Sequence, residues 1–268
     1  MRIPIDFVAA QASVVGFTRP PNVMEWEAPA AVLDVRPYGD ADALVTVMTE
    51  LQGAHRGLVR GGLSRRHASL WQPGNLVQAR WIGRLSDQLG NLTGELVMAA
   101  AALAMDDALR LGVLSSACAV AEGALPEREA HPIVFGGLVG LIAGLGDDAA
   151  PVETLVRLEL ALLAELGYGL DLSSCAVTGR ADDLRYVSPR SGRAVAGAAA
   201  GAWAAKLLVL PGFLIGGTGS AEGWRDGLAL TGHFLARDAF GVRHRPLPAV
   251  RQMLYDRVAA LADKSNSG

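Results

Sequence analysis

Cysteine is scarce in this sequence, and its scarcity excludes two kinds of framework. Only Cys118 and Cys175 occur among 268 residues, and they lie far apart in the chain. Two distant cysteines build neither a disulfide-rich fold nor a zinc site with paired ligands. The simplest interpretation is a protein whose thiols stay reduced, as they do in the cytoplasm.

Lysine is nearly absent too, because among 24 basic residues only Lys206 and Lys264 are lysines. A GC-rich genome is one sufficient explanation for this bias. Whatever its origin, almost every basic site then carries a guanidinium, whose planar fork suits phosphate groups and stacking on bases. The net charge of −3 gives no argument for a nucleic-acid partner, so such a partner requires a local basic surface.

Long apolar runs are missing as well. Residues 133–145 are apolar but too few to cross a bilayer, and residues 194–217 include Lys206 and Pro211. The second stretch predicts buried helices with a break at Pro211, so no membrane partner is expected. With 51% hydrophobic and 19% charged residues, the chain has enough apolar surface for a folded core, over about two domains.

The order of sequence patterns predicts an α+β multidomain protein. Five short strand-like runs separated by Gly and Pro signals favour an N-terminal OB-fold β-barrel over residues 24–100. Alanine-rich helical spacing then predicts an all-α C-terminal domain over residues 101–268. Helices are expected at residues 100–121, 132–145, 151–166, 224–236 and 248–262.

Acidic residues are absent from residues 51–86. That stretch carries the DNA-binding candidates of the barrel, which are Arg56, Arg60, Arg65, Arg66, Trp71, Arg80 and Arg84. OB barrels bind single strands with basic side chains along the backbone and aromatic faces for the bases. Trp71, beside a Pro-Gly pair, is the better stacking candidate, whereas Trp81 has the pattern of a core residue. The alternative is a solvated arginine face above two core tryptophans.

A second basic cluster near the C-terminus comprises Arg237, Arg243, His244, Arg245, Arg251 and Arg257. Arg243 and Arg245 are its DNA-binding candidates, because they precede a helix whose N-terminus would favour a phosphate. An ordinary helix surface explains the cluster at least as well.

Motifs of catalysis are missing. The sequence has no nucleophile elbow, no zinc-protease motif and no phosphate loop, and the glycine-rich residues 216–220 lack the lysine that a phosphate loop needs. We therefore expect no enzymatic activity and no cofactor. A hydrolase with an unrecognised geometry stays open but has no support.

Residues 1–23 fit neither predicted domain. Asp6 interrupts a mildly apolar run and no cleavage pattern follows, so a signal peptide is a poor interpretation. Met24 opens a charged segment just before the first strand-like run. Two interpretations stay open: a native start at Met24, or a short N-terminal extension.

Several segments, in the same order, resemble the RecO family of bacterial recombination mediators. In the N-terminal half they are the opening at Met24, residues 57–66 (GLVRGGLSRR) and residues 70–74 (LWQPG). In the C-terminal half they are residues 157–179 (RLELALLAELGYGLDLSSCAVTG), 186–195 and 240–251. The resemblance covers about residues 24–261.

This resemblance implies an OB-fold and a helical domain that bind single- and double-stranded DNA and anneal complementary strands without hydrolysing nucleotide. The expected protein partners are RecR and the acidic C-terminal tail of the single-strand-binding protein, SSB. With RecR, the family helps load RecA onto SSB-coated single strands, and a role for RecF is left open. The expected location is therefore the cytoplasm, at the nucleoid.

Arg157 is the candidate for binding the SSB tail, because the family implies a tail that ends in an apolar residue and a carboxylate. This arginine stands at the start of a leucine-faced helix, and an ion pair with Glu153 is the alternative. Three other functions also stay open: an adaptor that acts mainly through protein contacts, an unrecognised enzyme, and an OB-fold RNA binder.

Many relatives carry a four-cysteine zinc site, and residues 171–195 resemble a degenerate form of it. Cys175 stands at the first ligand position, Thr178 replaces the second, and the other pair is missing around residues 188–193. Because a closed structural site needs four ligands, we predict that the protein binds no zinc. Elemental analysis of the purified protein is expected to find no stoichiometric metal, and one zinc per chain would contradict the prediction.

Overall fold

A computed structural model of the chain describes residues 24–65, 67–84, 89–146 and 150–266. The chain divides into two compact units, Met1–Asp148 and Ala149–Gly268. The predicted boundary near residue 100 marks the change from strands to helices, whereas the first unit also includes the helices that directly follow the strands.

Among the described residues of the first unit, five strands close into a barrel. They are β1 (Met24–Tyr38), β2 (Asp42–Thr49), β3 (Gly53–Val59), β4 (Leu76–Gly83) and β5 (Gly90–Met98). Their order around the barrel is β1-β2-β3-β5-β4, and β4 pairs back onto β1. The predicted OB-like barrel is confirmed, with each of the five predicted strands in place.

Strand β1 closes the barrel because it is long enough to pair with two neighbouring strands. Its first part pairs antiparallel with β4, from Met24 opposite Gly83 to Ala31 opposite Leu76. Its second part pairs antiparallel with β2, after a register shift between Val32 and Asp34. A bulge of this kind bends a strand and increases its twist, which lets one strand continue around a small barrel.

Trp81 of β4 fills the centre of the barrel, with only 1% of its surface exposed, as its sequence pattern predicted. Its indole Nε1 donates a hydrogen bond to the carbonyl of Arg56 at 3.2 Å. Three glycines give the ring its space, because a Cβ at Gly57, Gly83 or Gly90 would stand 3.2 Å or less from a ring atom. Two of them, Gly57 and Gly90, face each other where β3 meets β5.

Three helices follow the strands among the described residues of the first unit: α1 (Ala100–Ala104), α2 (Ala108–Ala124) and α3 (Pro132–Gly144). The single helix predicted for residues 100–121 is divided in two, because the Asp107 carboxylate accepts hydrogen bonds from the N–H groups of Leu109 and Arg110 and so caps a new helix. The buried Asn75 joins strands to helices. Its side-chain oxygen accepts from Ala101 N–H, while its amide donates to the carbonyls of Ser69 and Leu70.

The second unit combines helices with a small sheet. Its main helices are α4 (Pro151–Glu165), α6 (Ala221–Phe234) and α7 (Ala249–Asn266), with the short α5 (Gly197–Ala200) between the first two. Strands β6 (Leu184–Val187), β7 (Ala194–Ala196) and β8 (Leu208–Val209) form the sheet, in the order β7-β6-β8. The predicted helical region is confirmed, and the sheet adds to it.

The prediction of buried helices at residues 194–217 is wrong. The stretch contains β7, α5, a 3₁₀ helix (Gly201–Lys206), β8 and a second 3₁₀ helix (Gly212–Ile215). Its burial is mixed, because β7 and Phe213 are buried whereas Trp203 is 66% exposed. Its alanines and glycines are too small to bury much apolar area, so the composition did not require a core position. No described helix combines the length and apolar character needed to span a membrane.

A buried ion pair joins the three main helices of the second unit. Arg251 of α7 donates to both carboxylate oxygens of Glu159 in α4, from Nε at 2.5 Å and from Nη2 at 2.9 Å. Both side chains are almost fully buried. In α6, the Thr231 hydroxyl donates to Glu159, and the Leu228 carbonyl accepts from Arg251. Every charge in this cluster is therefore hydrogen-bonded, which a buried pair requires.

We predict that Gly90→Ala destabilises the barrel. The new Cβ would stand 2.3 Å from Trp81 Cε2, so the ring or the strand must move, at a cost of about 1–3 kcal/mol for overpacking. Gly140→Ala is the matched control, because it lies in α3 with no atom within 4 Å of the new methyl group. Alanine is the better helix former, so this control should be neutral or stabilising by up to about 1 kcal/mol. Urea unfolding midpoints measure both, and equal midpoints would refute the prediction.

We predict that Glu159→Leu alone destabilises the second unit more than the double change Glu159→Leu with Arg251→Met. The single change leaves an unpaired buried guanidinium, which costs about 3–5 kcal/mol, whereas the double change removes both charges. Free energies of unfolding from denaturant titration give the comparison. A double variant as unstable as the single one would show that the ion pair itself contributes the stability.

Candidate nucleic-acid interface

Two of the predicted DNA-binding arginines are engaged in ion pairs within the first unit. Arg56 of β3 lies 3.1 Å from Glu127 and 3.5 Å from Glu122. Arg80 of β4 donates from Nε to Glu25 of the neighbouring strand β1 at 2.6 Å. The acidic partners lie outside residues 51–86, so the absence of acid from that stretch did not leave these two arginines unpaired. These two side chains offer less net positive charge to a phosphate than their number suggests.

Three other predicted arginines are exposed and form no ion pair among the described residues. Arg60 follows the end of β3, Arg65 lies in the loop between β3 and β4, and Arg84 follows β4. Successive backbone turns shape the β3–β4 loop, including bonds from Ser64 N–H to the Gly61 carbonyl and from His67 N–H to the Ser64 carbonyl. Arg66, also predicted, lies outside the described residues.

The prediction that Trp71 offers a face for base stacking needs correction. Trp71 is 3% exposed and belongs to the hydrophobic core of the barrel. The Pro-Gly pair that made it look like a loop residue does end the loop. Gly74 N–H, however, donates to the carbonyl of Val32, which holds the loop end against β1. The alternative of two core tryptophans therefore describes Trp71 and Trp81 correctly.

A pocket of about 270 Å³ lies on the barrel beside Arg60. Its lining includes Trp71 and Leu92, which are buried, and Asn91 and Thr93, which are exposed. The sequence analysis missed Asn91 and Thr93. The alternation of polar Asn91 and Thr93 around Leu92 could have indicated that both polar side chains are exposed, because successive strand residues point to opposite faces.

In the second unit, Arg243 and Arg245 are exposed in the segment that leads to α7. His244 between them has a left-handed backbone, with φ of 53°. Other members of the cluster are engaged elsewhere: Arg251 is buried on Glu159, and Arg237 donates to both oxygens of Asp238 at 2.7 Å. The C-terminal cluster is therefore smaller than its sequence suggests.

Arg157, the predicted contact for an SSB tail, is exposed on α4 and donates to the Phe213 carbonyl at 2.5 Å. Its guanidinium carbon lies 5.6 Å from the centre of the Phe213 ring. The alternative partner Glu153 instead accepts a hydrogen bond from Trp224 Nε1 at 3.1 Å. Arg157 forms no ion pair among the described residues, and the Phe213 ring beside it is only 2% exposed.

The degenerate zinc region folds into a hydrogen-bonded turn around Cys175. The sulfur accepts from Ala196 N–H at 3.2 Å and from Val177 N–H at 3.4 Å. Hydrogen bonding from the Thr178 side chain and from Ala196 N–H lowers the pKa of the Cys175 thiol to about 7. Within the described ranges, no three His, Cys, Asp or Glu side chains are grouped to hold a metal ion.

Comparison with known proteins identifies the class first. Two family models match the chain, one over the OB-like barrel and one over the helices that follow it, and both describe a recombination protein. The model described as Recombination protein O N terminal matches residues 24–99, and the one described as Recombination protein O C terminal matches residues 105–246.

Relatives over nearly the whole chain make the identification specific. The DNA repair protein RecO of Granulibacter bethesdensis is 59% identical over 244 residues, which cover 90% of this chain and 98% of the relative. The protein of the same name from Acidiphilium cryptum is 57% identical over 240 residues, covering 88% and 96%. The chain belongs to the RecO family of DNA repair proteins.

Proposed function

We propose that this chain is a non-catalytic mediator of recombination that binds single- and double-stranded DNA and anneals complementary strands. With RecR, it helps load RecA onto SSB-coated single strands. Residues 24–100 form the DNA-binding domain in this proposal, and residues 101–268 supply further contacts to DNA and to proteins. Neither a metal ion nor another cofactor takes part.

The observation that carries this proposal is that Arg60, beside the pocket of the barrel, and Arg65, in the β3–β4 loop, are exposed and form no ion pair with the residues that the structure describes. An arginine without an acidic neighbour keeps its full charge for a phosphate, and the condensed counterions released on contact drive binding. Because the chain belongs to a DNA repair family, DNA is the ligand that we propose for this surface. Arg84 and the pair Arg243 and Arg245 provide additional exposed charges.

Annealing follows from the same charges. Two complementary strands repel each other through their phosphates, and the repulsion falls when arginines neutralise part of that charge. Strands held close together and partly neutralised then pair without nucleotide hydrolysis. The protein contributes binding and orientation, and base pairing supplies the free energy.

Arg157 is our proposed contact for the carboxylate end of the SSB tail. The Phe213 carbonyl to which it donates does not neutralise its charge, and Ile215, two residues after Phe213 in the chain, is an exposed apolar side chain. A tail that ends in an apolar residue and a carboxylate could use both features. Recruitment to SSB-coated strands would then depend on this contact, while binding to bare DNA would not.

Strand annealing without nucleotide tests the proposal directly. We expect this protein to accelerate pairing of complementary oligonucleotides, both bare and coated with the cognate SSB. The double change Arg65→Glu with Arg66→Glu should abolish the acceleration. The matched control is Arg180→Glu with Arg185→Glu, which changes net charge equally at exposed arginines already paired with Asp182 and Asp183. Equal rates for wild type and the Arg65, Arg66 variant would refute the assigned surface.

Salt dependence of single-strand binding tests which arginines contact phosphates. With about five contacts, log K should fall with log salt at a slope of roughly −3.5. Arg60→Ala and Arg65→Ala should each reduce that slope by about 0.7, whereas Arg80→Ala should change it less because Glu25 already neutralises Arg80. Fluorescence anisotropy of a labelled strand at several salt concentrations gives the slopes. Equal effects of all three changes would contradict the distinction.

An adaptor that acts mainly through protein contacts is the second candidate, favoured by the position of Arg157 beside Phe213. The charge reversal Arg157→Glu separates the two functions. Under our proposal, it slows annealing of coated strands and leaves annealing of bare strands unchanged. Under the adaptor alternative, the Arg65, Arg66 variant still works on coated strands, because its DNA binding is incidental.

A further inference from the structure

The pocket beside Arg60 results from the way the barrel closes. Among the described residues, strands β3 and β5 pair in parallel at two positions, Gly57 opposite Gly90 and Leu58 opposite Asn91. Beyond these pairs, β5 continues along β4 and β3 ends at Val59. Leu70 and Trp71 of the β3–β4 loop help to line the space that the two strands leave between them.

The pocket has an apolar interior and a polar mouth. Trp71 and Leu92 are buried and form its closed end, while Arg60, Asn91 and Thr93 are exposed at its opening. Gly94 also lines it, and a Cβ at this position would stand 3.0 Å from Trp71 Cη2. A side chain at this position would therefore press against the edge of the Trp71 ring.

The size and charge of the pocket restrict what it can hold. A volume of about 270 Å³ lies just below the roughly 300–1,000 Å³ of pockets that enclose drug-sized ligands, so a single flat ring system fits better than a larger molecule. The mouth carries the charge of Arg60, which no acidic side chain in the described part of the chain neutralises, and Arg65 lies five residues further along the same acid-free stretch. An anionic group next to a flat apolar group is therefore the matching chemistry, and a nucleotide has both.

We propose that this pocket takes one unstacked base of a single DNA strand, with the adjoining phosphate on Arg60. The base packs against the apolar interior, and the Asn91 amide hydrogen-bonds to its edge. The Thr93 hydroxyl, which donates to the Arg80 carbonyl at 3.5 Å, accepts a hydrogen bond from that edge. A base within a duplex is stacked and paired, so it must leave the helix before it can enter. The pocket thereby favours single strands over duplex. This inference rests on the proposed DNA binding and adds to it a contact that does not depend on salt.

The test compares two single strands of equal length and charge, one of thymidines and one of abasic sugar-phosphate units. Wild type should bind the thymidine strand about tenfold more tightly, as expected for one well-packed base. Asn91→Trp fills the mouth of the pocket and should bind both strands with the affinity that wild type has for the abasic one. Leu96→Trp is the matched control, because it adds the same side chain at another exposed position of β5 and should keep the preference.

Each outcome of this comparison is decisive. A preference that survives in Asn91→Trp, or an equal affinity of wild type for both strands, overturns the base pocket and leaves phosphate contacts alone. Failure of wild type to bind either strand refutes the proposed function instead. If Asn91→Trp also loses abasic binding, Thr93→Phe blocks the mouth from a second position of the same strand, and the same criterion applies to it.

Discussion

Burial of one tryptophan ring controls the geometry of the barrel. Trp81 fills the interior, and β3 approaches β5 beside the ring where both strands carry glycine, at Gly57 and Gly90. Any side chain at those positions would enter the volume of the ring, and cores as dense as protein interiors do not yield such space cheaply. The closing pair of strands is therefore short, and its length is determined by packing inside the barrel.

The short pairing between β3 and β5 also shapes the surface that we propose for DNA binding. Where β3 and β5 no longer pair, the β3–β4 loop covers the interior and Trp71 becomes a wall of the pocket. The same loop carries Arg65, and Arg60 stands at its start. The buried Asn75 anchors the loop end to α1 through its amide and carbonyl groups. Packing, loop position and exposed charge thus depend on one another.

In both units, ion pairing determines which arginines are available to bind a phosphate. Arg80 meets Glu25 across a strand pair, and Arg251 meets Glu159 between helices that are far apart in sequence. The second pair is buried and fully hydrogen-bonded, so it organises α4, α6 and α7 at the expense of a surface charge. A protein with nearly all its basic residues as arginine can use the same side chain type for packing and for binding.

Local patterns in the sequence determined the five strands, the main helices and the core position of Trp81, because alternation and helical spacing reflect contacts between near neighbours. They did not determine the role of each arginine. Arg60 and Arg251 look alike in sequence, and only the tertiary structure exposes one and buries the other beside Glu159. The same holds for Trp71, whose Pro-Gly neighbour suggested a surface loop. Burial and charge pairing depend on residues that are far apart in the sequence, and these residues come into contact only when the chain folds.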